Sequence, residues 1–197
     1  MNKIAKDKFL FLYQNEYGNL DLSQHSGLMA VLDLLEADDK ITDIRHAAYI
    51  LATIKHECAG KWKPIAEFGM GKGKKYGVPD KRTGKIYYGR GFVQTTWYDN
   101  YQALQSAWDK QHPDRPIDLL KNPDLLLLPE YSYFGTSYPM RVGMYTGKAL
   151  RHYINGETCD YVNARRIING TDCAEKIASY AAKIESILRE SEIKEVA

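Results

Sequence analysis

Residues 47–60 read Ala-Ala-Tyr-Ile-Leu-Ala-Thr-Ile-Lys-His-Glu-Cys-Ala-Gly, an apolar run that ends in charge. Thr42 or Asp43 supplies an N-cap before it, and the pattern predicts a helix to about Ala59, with Gly60 as its left-handed cap. Ala47, Ile50, Ile54 and Glu57 fall at steps of three and four, so the carboxylate continues an apolar stripe. Partial desolvation and the negative end of the helix dipole both favour the protonated acid there. Such a group can hand a proton to a leaving oxygen. The plain alternative is a glutamate reaching into solvent at a frayed helix end.

Outward from this helix the chain alternates helical stretches with loops. Ser23 to Ala37 carries Leu28, Val31, Leu32, Leu34 and Leu35 at helical spacing, with Ser23 as its expected cap. The N-terminal FLFLY run, residues 9–13, reads as an amphipathic helix rather than a signal peptide, and no segment approaches the ~20 apolar residues of a membrane span. Gly69 to Gly84 is an irregular, glycine- and lysine-rich loop. Lys85–Tyr88 and Phe92–Thr95 flank Gly89-Arg90-Gly91, which predicts a short hairpin or a strand and turn. Helices are then expected over Trp97–Lys110, from Asn122-Pro123-Asp124 to Leu128, over Glu130–Gly143 and over Asp172–Glu190. The class is α+β, mostly helical, in one catalytic domain spanning 1–197, with a small hairpin and loop lobe at about 61–96 and no linker or separate binding module.

A net charge of +2 gives no overall field of the kind that marks a nucleic-acid binder. Locally, Lys72, Lys74, Lys75, Lys81, Arg82, Lys85 and Arg90 face one acid, Asp80. That patch suits an anionic polymer such as peptidoglycan, or else is a solvated surface loop. Fifteen Tyr and three Trp supply flat rings with polar tips, suited to sugars. Cys58, Cys159 and Cys173 match no zinc framework and cannot pair completely, which favours a reducing compartment, although a Cys159–Cys173 bridge stays open. Phosphate-loop, zinc-protease and nucleophile-elbow patterns all fail on spacing, so neither metal nor cofactor is expected.

The helix motif is followed at residues 86–101 by Ile-Tyr-Tyr-Gly-Arg-Gly-Phe-Val-Gln-Thr-Thr-Trp-Tyr-Asp-Asn-Tyr. Asn122-Pro123-Asp124-Leu125 and Ile167-Ile168-Asn169-Gly170 come later, in that order. Together these segments resemble glycoside hydrolase family 19, the chitinases and the related phage and bacterial lysins. The resemblance implies a lysozyme-like fold with a substrate cleft between two lobes. It makes Glu57 the general acid. Gln94, Thr96 and Asn100 would line the cleft, bind sugar or hold the attacking water, and Asn169 would bind sugar. Arg90 would contact substrate or organise the cleft through a salt bridge.

Two departures from the chitinase pattern matter. Cys58 and Ala59 follow the His-Glu pair where plant-type chitinases carry threonines. Their general base lies some twenty residues after the acid, where this chain offers Asp80. Glu67 is nearer, and the lysin branch often carries an acid about there. Glu67 is therefore the first choice for second carboxylate and Asp80 the second. An inverting pair needs about 6.5–9.5 Å between carboxyls.

The resulting expectation is a monomeric phage-type endolysin cutting β-1,4 bonds of peptidoglycan. It would be held in the host cytoplasm and released to the wall through a separate holin, without inserting in the membrane or binding nucleic acid. A chitinase, a transglycosylase-like path using Glu57 alone, a glycan-binding protein without chemistry and an anionic-polymer binder are the alternatives.

Overall fold

The computed structural model describes residues 3–193. In chain order its elements are α1 (Lys6–Tyr17), α2 (Leu22–Ala37), α3 (Ile44–Glu57), β1 (Ile65–Ala66), β2 (Arg90–Gly91), α4 (Tyr98–Gln111), α5 (Pro129–Val142), β3 (Ile154–Asn155), β4 (Thr158–Cys159) and α6 (Ala174–Ser191), with 3-10 turns at Pro123–Leu127, Leu150–His152 and Asn163–Ile167. The mostly helical α+β class stands. The chain divides into two compact units: Lys63–Pro139 forms one, and the segments up to Trp62 and from Met140 onward form the other. One boundary falls inside α5 beside Pro139, where a helix interior lacks a backbone donor. The smaller body thus extends well past the hairpin lobe expected at 61–96.

In the first unit α3 packs along α6, and α1 packs on α6 as well. Every residue from Ala47 to Ile54 is buried, so α3 is enclosed all round and not along one stripe only. Its start is Asp43, whose carboxylate accepts from the Arg45 N–H at 2.9 Å. At its end the Gly60 N–H donates to Lys55 O (2.8 Å) and the Ala59 N–H to His56 O (3.1 Å), the paired bonds of a Schellman stop. The left-handed residue in that stop is Ala59, at φ 51°, one position before the expected glycine, although Gly60 is left-handed too at φ 72°. Tyr17, Tyr13 and Tyr180 surround Lys55, whose Nζ lies 3.9 Å from the Tyr17 ring centre and donates to the Tyr13 hydroxyl at 2.6 Å.

α2 starts at Asp21, not at Ser23. The Asp21 side chain accepts from the Gln24 N–H at 2.8 Å, while the Gln24 side chain accepts from the Asp21 N–H at 3.0 Å. Counting from Ser23 would place Ser26 at the third position, which cannot close that reciprocal pair. The β3–β4 hairpin was not expected either. Its two-residue turn is Gly156-Glu157, and a glycine in the first turn position is the sequence signal that announces it.

In the second unit β1 and β2 pair antiparallel, Ile65 opposite Gly91 and Ala66 opposite Arg90. Arg90 and Thr95 then exchange backbone bonds of 3.2 and 2.9 Å around a four-residue turn. The expected hairpin between 85–88 and 92–95 is replaced by this arrangement: Gly89-Arg90-Gly91 is itself the strand. Its glycines explain why. A Cβ on Gly89 would lie 2.9 Å from the Gln94 side-chain oxygen, and Gly91 has φ 89°. α4 buries Tyr101, Leu104 and Trp108 as the spacing predicts. Among the described residues no helix is long and apolar enough to cross a membrane.

Burial lowers the Lys55 ammonium from its ordinary 10.5 to about 8. Between pH 8 and 10.5 the unfolded chain therefore holds the proton that the folded chain has lost, and folding gains stability as pH rises. Tyrosines held above their usual range in the fold, Tyr13 and Tyr17 among them, work the other way above pH 10, the ordinary value. The melting temperature of the protein relative to Lys55→Met is expected to climb between pH 8 and 10, which thermal melts at both pH values check.

Candidate active site

Glu57 is the last residue of α3, and the stop that follows turns the chain away immediately. Its side chain is mostly buried, 19% exposed. Oε1 lies 2.5 Å from Nη1 of Arg165, which is 3% exposed. Arg165 comes from the 3-10 turn Asn163–Ile167, and its Nε donates to Asp172 O at 2.9 Å, so the guanidinium is anchored on one side and offered to Glu57 on the other. The partial burial expected from the sequence is present, together with a buried cation in contact that the sequence did not announce. Beside this pair Tyr49 stacks on Tyr161 at 5.8 Å, and burial pushes its phenol up, with no hydrogen-bond partner for the hydroxyl among the described residues. Asn169 follows in the same segment: its N–H donates to Arg165 O at 3.0 Å, and its exposed side chain accepts from the Gly170 N–H.

The second unit holds the remaining predicted residues. Glu67 continues the β1–β2 ladder: its N–H donates to Gly89 O at 2.7 Å, and its carboxylate accepts from the Gly89 N–H at 3.1 Å and from the Tyr76 hydroxyl at 2.8 Å. Gln94, left-handed at φ 55°, donates from Nε2 to Ile65 O at 2.9 Å and to Gly91 O at 3.1 Å. Glu67 and Gln94 therefore flank the bare backbone of Gly89. Thr96 is half-buried, and its carbonyl takes the Asn100 amide at 2.8 Å, leaving the Asn100 oxygen for other partners.

Arg90 itself is only 4% exposed. It donates to Asp124 at 2.7 Å, to Ile86 O at 3.0 Å, to Tyr88 O at 3.3 Å and to the Tyr101 hydroxyl at 3.2 Å, with the Tyr88 ring 3.5 Å above it. Buried and bonded through Nε and Nη1 to four acceptors, it has the geometry of an organiser. Asp80 is equally committed. Arg82 binds its carboxylate through Nε at 3.0 Å, Nη2 at 2.7 Å and the backbone N–H at 2.9 Å, holding it down to about 2. A carboxylate with so little proton affinity is a poor base near neutral pH.

Glu57 and Asn169 thus share one unit, and Glu67, Gln94, Thr96, Asn100 and Arg90 the other. Arg165 escaped the sequence reading, though it stands two residues before the Ile167-Ile168-Asn169-Gly170 motif; nothing local shows that its partner lies 108 residues away. Asp124 was read as a helix start and not as an ion partner. Tyr76 lay unnoticed in the basic loop.

Neither the family models nor the curated protein sequences give a match to this chain. Solved structures do. Chitinase C from Streptomyces griseus is 20% identical with a TM-score of 0.61, covering 97% of this chain and 79% of that one. A chitinase C single-site variant is 19% identical with a TM-score of 0.52, over 97% and 95% of the two chains. A bacterial family 19 chitinase is 21% identical with a TM-score of 0.54, over 94% of each. The chain has the fold of the family 19 chitinases. That is the lysozyme-like fold expected from the four motifs.

Removing Arg165 would strand a mostly buried carboxylate. Arg165→Met is expected to cost about 2–4 kcal/mol of stability, and adding Glu57→Gln should recover part of that loss. Urea unfolding of the two single variants and the double variant measures both.

Proposed function

We propose that this protein is a glycoside hydrolase that cuts β-1,4 bonds between amino sugars, with peptidoglycan as its polymer. The observation that carries the reading is the placement of Glu57, at the end of a fully enclosed helix and against a buried arginine, in a chain with the fold of family 19 chitinases. In this reading Glu57 delivers a proton to the glycosidic oxygen. As the proton leaves, charge develops on the carboxylate, and Arg165 is already in place to stabilise it, so the contact strengthens toward the transition state.

Glu67 is the proposed base that takes a proton from water on the other face of the sugar ring. The low proton affinity of Asp80 favours Glu67 for that role. Gln94, Thr96 and Asn100 present acceptor oxygens suited to the water or to sugar hydroxyls, and Asn169 is assigned to an acetamido group. Arg90 keeps the Gly89–Gln94 turn in shape.

Peptidoglycan is preferred over chitin because Lys72, Lys74, Lys75, Lys81 and Lys85 are all exposed in one loop, and chitin carries no charge for them to meet. The endolysin branch rests on the residues after the His-Glu pair and on an acid ten positions beyond Glu57. Chitin hydrolysis is the second reading, favoured by what the structural neighbours are called.

Glu57→Gln is expected to abolish solubilisation of purified peptidoglycan with unchanged circular dichroism. Glu67→Gln should lower kcat by about 10²–10⁴-fold, and Asp80→Asn far less. Mass spectrometry of the products should find reducing ends. Anhydro ends would exclude a water base, and release from chitin alone would assign the protein to the second reading.

A further inference from the structure

One surface feature of the second unit is given no substrate contact above. Val78, Lys81 and Tyr76 belong to a groove of about 290 Å³ whose other wall is Trp97 with Tyr98. Trp97 is 47% exposed, whereas the other two tryptophans, Trp62 and Trp108, are 1% and 2% exposed. Its backbone stands at φ 71°, ψ 137°, a region that side chains other than glycine rarely occupy. The strain is held by its N–H, which donates to Tyr87 O at 2.9 Å, and by Tyr76, whose ring meets the indole edge-on at 5.4 Å. Along the wall Arg82 lies flat on Tyr98, 3.3 Å from the ring centre.

The charges around the groove are unequal. Arg82 is bound to Asp80, and Asp99 lies 3.8 Å from the same guanidinium. Lys75 and Lys81 are exposed lining residues with no acidic partner among the described residues. A rigid indole face suits the apolar face of a pyranose, and two unpaired ammonium groups suit carboxylates beside it. The volume is at the lower end of the ~300–1,000 Å³ typical of small-molecule sites, which fits one ring and not an oligomer.

We infer that the Trp97 groove is a second glycan site, joined to the proposed base Glu67 only through Tyr76, which binds a carboxylate-bearing amino sugar of the substrate strand and selects an anionic glycan over a neutral one. The inference rests on the proposed peptidoglycan reading and assigns its selectivity to Trp97, Lys75 and Lys81.

With Trp62 and Trp108 buried, acrylamide quenching of tryptophan fluorescence reports chiefly on Trp97. The Glu57→Gln protein, which cannot turn over ligand in the proposed mechanism, is titrated with the N-acetylglucosaminyl-N-acetylmuramyl tetrapeptide, with the same disaccharide lacking the peptide, and with chitotetraose. The tetrapeptide ligand is expected to shift the emission and reduce acrylamide quenching. The peptide-free disaccharide shows whether the sugar's own lactyl carboxylate suffices. Chitotetraose should bind at least tenfold more weakly. Lys75→Gln with Lys81→Gln should weaken the tetrapeptide ligand about tenfold and flatten its salt dependence. Trp97→Gly, whose backbone suits that conformation, should keep or raise the melting temperature while calorimetry finds binding weakened at least tenfold.

No change in Trp97 quenching with any ligand, or equal affinity for chitotetraose, overturns the inference. If the groove is silent while the wild type still solubilises peptidoglycan, the hydrolase reading survives alone. If the groove binds while the wild type cuts neither polymer, the hydrolase reading fails instead.

Discussion

A helix enclosed on every side must still end, and its last polar side chain has to be met by something. α3 is such a helix, and the contact that meets its end is Glu57 with Arg165. Burying either charge alone would cost several kcal/mol. The turn carrying Arg165 is itself tied through its Nε to Asp172 O, so the cation is held before any substrate arrives. Preorganisation of this kind lets one residue serve both folding and the proposed chemistry. The same segment carries Asn169, so the position of a sugar-binding candidate is set by an ion pair whose first task is structural.

The second unit repeats the logic with a different arginine. Arg90 is buried, and its donors take the carbonyls of Ile86 and Tyr88, the Tyr101 hydroxyl and the Asp124 carboxylate. Around it, the bare backbone of Gly89 lets Glu67 and Gln94 close from either side, and Gly91 lies against Ser132 and Leu126. Arginine can do this because its planar fork directs donors to several acceptors at once, which a lysine cannot match. Little regular sheet is needed: two residues per strand suffice when an internal guanidinium holds the turns.

Much of this was readable from residue order. Helical spacing located the long helices to within a few residues, and the apolar run before Glu57 identified the enclosed helix. What the spacing missed was pairing. The Gly-Arg-Gly strand pairs with Ile65–Ala66 as well as bridging to Thr95, and Gly89 admits an approach of Gln94 and Glu67 that a side chain would block. Asp21 displaced Ser23 as a cap because only Asp21 has a glutamine three positions on.

By itself the sequence determined the helical periodicity, the carboxylate at the end of α3, the cationic loop and the glycines that permit tight turns, since each depends on residues close along the chain. Only the tertiary structure decided that Glu57 is met by Arg165, that Arg90 lies buried against Asp124 and that Trp97 stands exposed on a strained backbone. Partner and exposure depend on which distant segments the fold packs together, and local spacing does not carry that information.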